Sequence, residues 1–225
     1  ELSVFVLTDG THYKILPEAK DYKKAGEGDT GLNTGGMGSV SPVAFADAPF
    51  MKKGEERIVK PTLERLKAER IPYSGFLFIG LMNVAGDPYV IEYNVRLGDP
   101  EPEAVLPRIR SDLAELFTAM HRNRLDEVEL EVGKEQALCV MLVSGGYPES
   151  YKKGFELNGT ENVSPGTLMF HAGTAMDEAG RPCPAGGRVL AVTTLAPDLE
   201  SAMRKTYSEI GKIGFEGMYY RKDIG

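Results

Sequence analysis

Val90-Ile91-Glu92-Tyr93-Asn94-Val95-Arg96-Leu97 is the most informative stretch of the chain. It reads as a strand. Side chains alternate between the faces of a strand, so Ile91, Tyr93, Val95 and Leu97 share one face and Glu92, Asn94 and Arg96 the other. A carboxylate, an amide oxygen and a guanidinium in a row are what a magnesium polyphosphate site asks for: hard oxygen ligands for the metal and a bidentate cation for phosphoryl charge. The competing reading is the solvated face of an edge strand. The residues that follow favour the first. Gly98-Asp99-Pro100-Glu101 leaves the strand in a tight turn and opens a helix, which brings two more carboxylates and free backbone amides to the strand end. Such turns take anions, while the acidic side chains suit hydroxyls or an amine. Asp99 also reads as a plain helix cap.

Outward from this strand, Gly75 to Asn83 reads as its partner in a hairpin joined through Gly86-Asp87, and residues 1 to 16 read as another hairpin turning at Asp9-Gly10. Helical spacing of Ile58, Val59, Leu63 and Leu66 predicts a helix over Glu55 to Lys67, kinked or restarted at Pro61. Pro100 and Pro102 fit the first turn of a second helix, and Leu113, Leu116, Phe117 and Met120 mark a third. Residues 25 to 42 hold six glycines without apolar periodicity, a stretch too long for an ordinary connection and expected to be functional or disordered. Within it, Asp29-Thr30-Gly31-Leu32-Asn33-Thr34-Gly35-Gly36-Met37-Gly38 lets backbone amides approach a ligand, although no GK[ST] ending makes it a Walker A loop. As a bare glycine-rich loop it is open to a structural reading too. Upstream, Lys20-Asp21-Tyr22-Lys23-Lys24 supplies ammonium groups for phosphate, or a solvated turn. Beyond Asp126 the texture changes to short strands and turns at Ala137 to Val143, Thr167 to His171 and Arg188 to Thr194. An amphipathic helix over Leu199 to Ile213 and a last strand near Met218 to Tyr220 follow. A boundary is expected near residue 127.

The 225 residues carry 26 Lys and Arg against 33 Asp and Glu, a net charge of -7, which gives no general attraction for nucleic acid or an anionic membrane. A chain of this size buries roughly 70 to 75% of its extended surface, enough for a sizeable core. No apolar run approaches the ~20 residues of a membrane helix. Cys139 and Cys183 lack a CxxC pairing, so a reducing cytoplasm is expected, with no zinc or redox motif. His12, His121 and His171 have no partner at metal-ligand spacing, and no GxSxG nucleophile motif is present. Glu1 to Leu7 reads as a strand already under way, as in a piece of a longer protein.

The ordered set DTGLNTGGMG, SGFLFIGLM, VIEYNVRLGDPE, FHAGT, GGRVLAVT and YRKDIG resembles the carboxyl-terminal portion of the phosphoribosylamine–glycine ligase (glycinamide ribonucleotide synthetase) family, within the ATP-grasp superfamily. The resemblance implies an α+β fold: residues 1–127 as the second half of an ATP-grasp module, then a small, mostly β carboxyl-terminal subdomain at 128–225. It implies a ligase that phosphorylates glycine with ATP and passes the glycyl phosphate to 5-phosphoribosylamine, giving glycinamide ribonucleotide, ADP and phosphate in purine biosynthesis. Glu92 and Asn94 match the metal ligands, for Mg2+ or Mn2+, and Arg96 the catalytic arginine that steadies the acyl phosphate. Asp29, Asn33, Thr34, Gly35, Gly36, Met37, Gly38, Asp99, Pro100 and Glu101 match the substrate side. Met82 falls where an apolar side chain meets the adenine, and Lys23 is assigned to the nucleotide. Many superfamily members place a second metal carboxylate where this chain has Gly80, and relatives read Asp-His-Lys where it has Asp21-Tyr22-Lys23. The amino-terminal half would lie before Glu1. Such a portion alone is expected to turn over slowly or not at all. The alternatives are a non-catalytic fragment and another purine-pathway ATP-grasp carboxylate–amine ligase.

Overall fold

The computed structural model describes all 225 residues. They fall into two compact units that are not consecutive stretches of sequence. The first takes residues 1–20, 41–98 and 105–134; the second takes 21–40, 99–104 and 135–225. The change of texture in the sequence predicts a single cut after residue 127.

The first unit is built on an antiparallel sheet in the order Tyr13–Ile15, Leu2–Thr8, Gly75–Val84, Asp87–Asn94. Both faces of its inner strands are covered, which is why Leu2–Thr8 is buried at every position. Val4, Val6, Leu77, Ile79 and Leu81 pack under Phe50, Ile58 and Val59 of one helical layer. Phe5, Leu7 and Phe78 pack against Val105, Leu116 and Leu125 on the other side. The first hairpin turns at Asp9, whose Oδ1 accepts from the amides of Thr11 and His12 at 2.8 and 2.7 Å. The second turns one residue earlier than the sequence predicts, at Ala85-Gly86, both with positive φ (51° and 84°).

The helix expected from Glu55 in fact starts at Ala48. Asp47 caps it by accepting from Phe50 N at 2.8 Å, a signal in the sequence that the apolar spacing does not reach. Pro61 lacks the N–H for the regular ladder. The chain meets it with a π-turn over Glu55–Val59 that runs directly into Lys60–Ala68, so the helix does not restart at Pro61.

In the second unit the sheet runs Thr167–His171, Arg188–Ala196, Gln136–Ser144, Gly38–Ser41, Lys20–Asp21, with Met218–Tyr219 also pairing Gln136–Ser144. Leu138, Val140, Leu142, Leu190 and Val192 meet Ala202 and Ile210 of the helix Leu199–Ile210 on one face. Met37, Cys139, Met141 and Ala191 form the core on the other. Residues 25 to 42 are not disordered. Lys24–Gly26 and Thr30–Asn33 make a two-stranded ribbon, and Gly38–Ser41 is a sheet strand. No helix of the chain is long and apolar enough to cross a membrane.

Candidate active site

The first constellation lies in the first unit. Register places Glu92 opposite Gly80, Asn94 opposite Phe78 and Tyr89 opposite Met82. Glu92 and Asn94 therefore share a face, as their spacing implies. Tyr93 lies on the other, where its hydroxyl meets Thr62 Oγ1 at 3.0 Å. A bulge between the Gly80 and Leu81 pairings inserts Ile91 as an extra residue. It brings Tyr89 onto the Glu92 face, where simple alternation would have put it on the other. Met82 and Tyr89 stay 41% and 59% exposed there. The strand ends at Asn94, short of the predicted Leu97. Arg96 stands in the following bend, with its Nη1 bonded to Leu97 O at 2.8 Å.

No hydrogen bond or ion pair engages the Glu92 carboxylate or the Asn94 amide. Two uncommitted oxygen donors on one strand face, next to a glycine, fit part of the oxygen shell of a divalent cation. A Cβ at Gly80 would lie 3.2 Å from Glu92 Cγ, so the bare glycine is what leaves Glu92 its space. No group of three His, Cys, Asp or Glu residues is placed to hold a metal ion.

The second constellation lies wholly in the second unit. The amides of Thr34, Gly35, Gly36 and Met37 donate to Lys23 O (2.7 Å), Tyr147 Oη (3.0 Å), Thr34 Oγ1 (3.0 Å) and Tyr22 O (2.8 Å). The glycine run is thus a tied loop with these amides spent, and not a cradle of convergent N–H groups. Its glycines are steric requirements: a Cβ on Gly36, at φ 110°, would come within 2.3 Å of Pro100 Cδ, and one on Gly38 within 2.5 Å of Cys139 O. Met37 is fully buried in the core and Pro100 is buried with its carbonyl accepting from Ser39 Oγ at 2.9 Å, so each can offer a ligand only backbone. Asn33 is exposed at the ribbon's end and Lys23 half-buried beside it.

Asp99 does not cap the next helix, which begins at Pro102. Its carboxylate pairs with Arg188 at 2.8 Å. Glu101 is buried at 3% exposure. Glu103 has a buried Oε2 without a hydrogen bond. Burial pushes the Glu103 carboxyl up, as do its neighbours Asp99 and Glu101, while Arg188 pulls it down. A turn so rich in carboxyl groups suits an ammonium group better than an anion.

Asp29, with φ 54°, accepts at Oδ1 from Arg221 Nη1 at 2.8 Å. Arg221 is 1% exposed, grips Asp223 through Nε and Nη2, donates to Lys24 O at 3.1 Å and lies over the Tyr22 ring. The pair holds the Asp223 carboxyl down at about 2. Arg188 and Arg221, which pair with the candidate residues Asp99 and Asp29, are missed by sequence reasoning. Each is visible only as a cation inside a motif, with Asp99 and Asp29 lying 89 and 192 positions away.

Residues 1–102 match the phosphoribosylglycinamide synthetase ATP-grasp (A) domain, and residues 137–225 match the phosphoribosylglycinamide synthetase C domain. Over its full length the chain is 44% identical to the phosphoribosylamine–glycine ligase of Chlorobaculum tepidum, of which it covers 53%. It is 45% identical to a bifunctional purine biosynthetic protein of Pichia angusta, of which it covers 28%. The chain thus spans about half the length, or less, of these relatives. The crystal structure of phosphoribosylamine–glycine ligase from Thermotoga maritima superposes with a TM-score of 0.89 at 38% identity, over 100% of this chain and 55% of that one. The biotin carboxylase domain of a Hydrogenobacter thermophilus 2-oxoglutarate carboxylase, solved with MgADP and bicarbonate, shares the fold at 14% identity and a TM-score of 0.63, over 97% of this chain and 46% of that one. The fold is α+β of the ATP-grasp type, and the chain belongs to the phosphoribosylglycinamide synthetase family.

Proposed function

We propose that the whole protein is an ATP-dependent ligase joining glycine to 5-phosphoribosylamine, and that this chain supplies its metal-binding strand and part of its substrate rim. The observation that carries the reading is the pairing of Glu92 with Gly80, which leaves the Glu92 and Asn94 oxygens together and unengaged on one face. The names borne by relatives at 44% and 38% identity support the same choice of substrates.

In this reading a glycine carboxylate oxygen attacks the γ-phosphorus of ATP and ADP leaves. The phosphoribosylamine nitrogen then attacks the acyl carbon, phosphate departs, and the nitrogen gives up its proton. Glu92 and Asn94 hold a divalent cation, magnesium or manganese, which neutralises phosphate charge. Arg96 meets the charge that grows on the acyl phosphate. Met82 offers an apolar contact to the base and Lys23 a cation to phosphate. Asp29, Asn33, Thr34, Gly35, Gly36, Gly38, Asp99 and Glu101 form the substrate side, with Met37 and Pro100 contributing through backbone. We assign residues 1–127 to the ATP-grasp module and 128–225 to the carboxyl-terminal domain, with 21–40 and 99–104 folding among the latter's residues. The cytoplasm is the proposed compartment.

The test is ADP release by the whole enzyme with glycine plus freshly made phosphoribosylamine, compared with bicarbonate in place of glycine. Release that requires glycine and the amine supports the reading. Release driven by bicarbonate, or by neither, refutes it.

A further inference from the structure

Arg188 connects parts of the second unit that are far apart in sequence. Its Nη1 donates to Gly35 O at 2.6 Å and to Asp99 O at 3.0 Å, with Gly36 O at 3.5 Å, and its Nη2 pairs with Asp99 Oδ2 at 2.8 Å. The Gly35 peptide is held from its other end as well, because its N–H donates to Tyr147 Oη at 3.0 Å. Gly35 has no side chain for a good reason: a Cβ there would lie 3.1 Å from the Arg188 guanidinium carbon. The Arg188 side chain is only 19% exposed, so this arrangement is packed and not a loose surface contact.

A planar guanidinium can satisfy several acceptors at fixed angles, whereas an ammonium on a flexible stem cannot hold the same geometry. The acceptors are two loop carbonyls and a turn that carries Asp99, with Glu101 and Glu103 following directly. Without Arg188 the Asp99 carboxylate would lose its ion pair beside the buried Glu103 carboxyl, and the Gly35 carbonyl would lose its partner.

We propose that Arg188 is a positioning residue for the amino-acid substrate: it fixes the Gly35–Gly36 loop against the Asp99 turn and holds the Asp99 carboxylate where an ammonium group is received. The proposal rests on the glycine-ligase reading and extends it to a residue beyond the strand and loop. Tyr147 is the second half of the grip.

The experiment uses the whole enzyme as Arg188→Ala, Arg188→Lys and Tyr147→Phe, with KM and kcat measured separately for ATP, glycine and phosphoribosylamine, thermal melts for each variant, and added methylguanidinium. Displacing a binding group by an ångström costs on the order of a hundredfold, so Arg188→Ala should lose roughly that in kcat/KM for glycine. Its KM for ATP should stay within about threefold, and methylguanidinium should recover a measurable part of the loss. Arg188→Lys should fall between parent and Arg188→Ala, because one ammonium keeps the charge and loses the multi-point grip. Tyr147→Phe, which keeps the ring, should weaken glycine more than ATP by several-fold. If Arg188→Ala does not fold, Arg188→Lys and Tyr147→Phe carry the same comparison. Glycine parameters within twofold of the parent, or equal losses for all substrates with a lower Tm and no rescue, would overturn the role. A parent enzyme whose ADP release ignores glycine overturns the ligase reading itself, and this role with it.

Discussion

Glu103 carries a carboxyl oxygen that is buried and unbonded, beside Asp99 and Glu101. Its folded pKa is raised above the usual 4.5, chiefly by burial. The neutral form is therefore the one the fold favours, and the favourable contribution is complete below the unfolded value and lost as pH rises through the folded one. Glu103→Gln should raise Tm at pH 7 and have little effect at pH 4; thermal melts at both values check this, and an equal effect at both pH values would contradict it. Arg221 presents the opposite case. Removing it leaves Asp29 and Asp223 without their cation and Lys24 O without its donor. Losing one partner of a buried pair costs about 3–5 kcal/mol, and because Asp29 is 63% exposed the cost of Arg221→Met should be nearer 2–3 kcal/mol, read by urea unfolding. These two arginines mark the limit of reading residues singly. GGRVLAVT and YRKDIG are visible as motifs, but what Arg188 and Arg221 hold depends on contacts with Gly35, Asp99 and Asp29 that only the folded chain brings near.

At the scale of elements, the strands were legible because period-2 alternation and apolar runs are local signals. Gly75–Val84, Asp87–Asn94, Gln136–Ser144 and Arg188–Ala196 all stand where the sequence predicts strands, within a few residues. The bulge at Ile91 was not legible, since nothing in the composition of the strand distinguishes an extra residue from a paired one, and Tyr89 was missed on the Glu92 face as a result. The ribbon over residues 24–33 was equally hidden: it has no apolar face and is held by hydrogen bonds with Tyr219, Arg221, Lys222 and Asp223. Two substitutions test these elements. Ala85 occupies a left-handed turn position that costs an alanine about 1 kcal/mol, so Ala85→Asn, creating an Asn-Gly turn, should stabilise by about 0.5–1 kcal/mol in urea unfolding. Gly36→Ala should destabilise by roughly 3 kcal/mol or more, because strain at φ 110° adds to a contact with Pro100 that has no room to relax. A soluble Gly36→Ala chain of parental stability would contradict the tied-loop description.

At the scale of the whole molecule, the chain presents an oxygen-rich strand face in one unit and an acidic, arginine-braced rim in the other. It covers about half of its ligase relatives. A phosphoryl transfer needs its nucleotide held on both sides, so residues 1–225 alone should turn over at least a hundredfold more slowly than the whole enzyme, on the order expected when reacting groups are misplaced. In the whole enzyme Arg96→Ala should lower kcat more than it raises the KM for glycine, since the guanidinium matters most as acyl phosphate charge develops. The proposed chemistry has a direct isotopic signature. With glycine labelled by 18O in its carboxylate, attack on ATP and later loss of phosphate must carry one glycine oxygen into the phosphate. Mass spectrometry of phosphate released by the whole enzyme should show one 18O per turnover, dependent on phosphoribosylamine; unlabelled phosphate formed alongside glycinamide ribonucleotide would contradict the glycyl phosphate route.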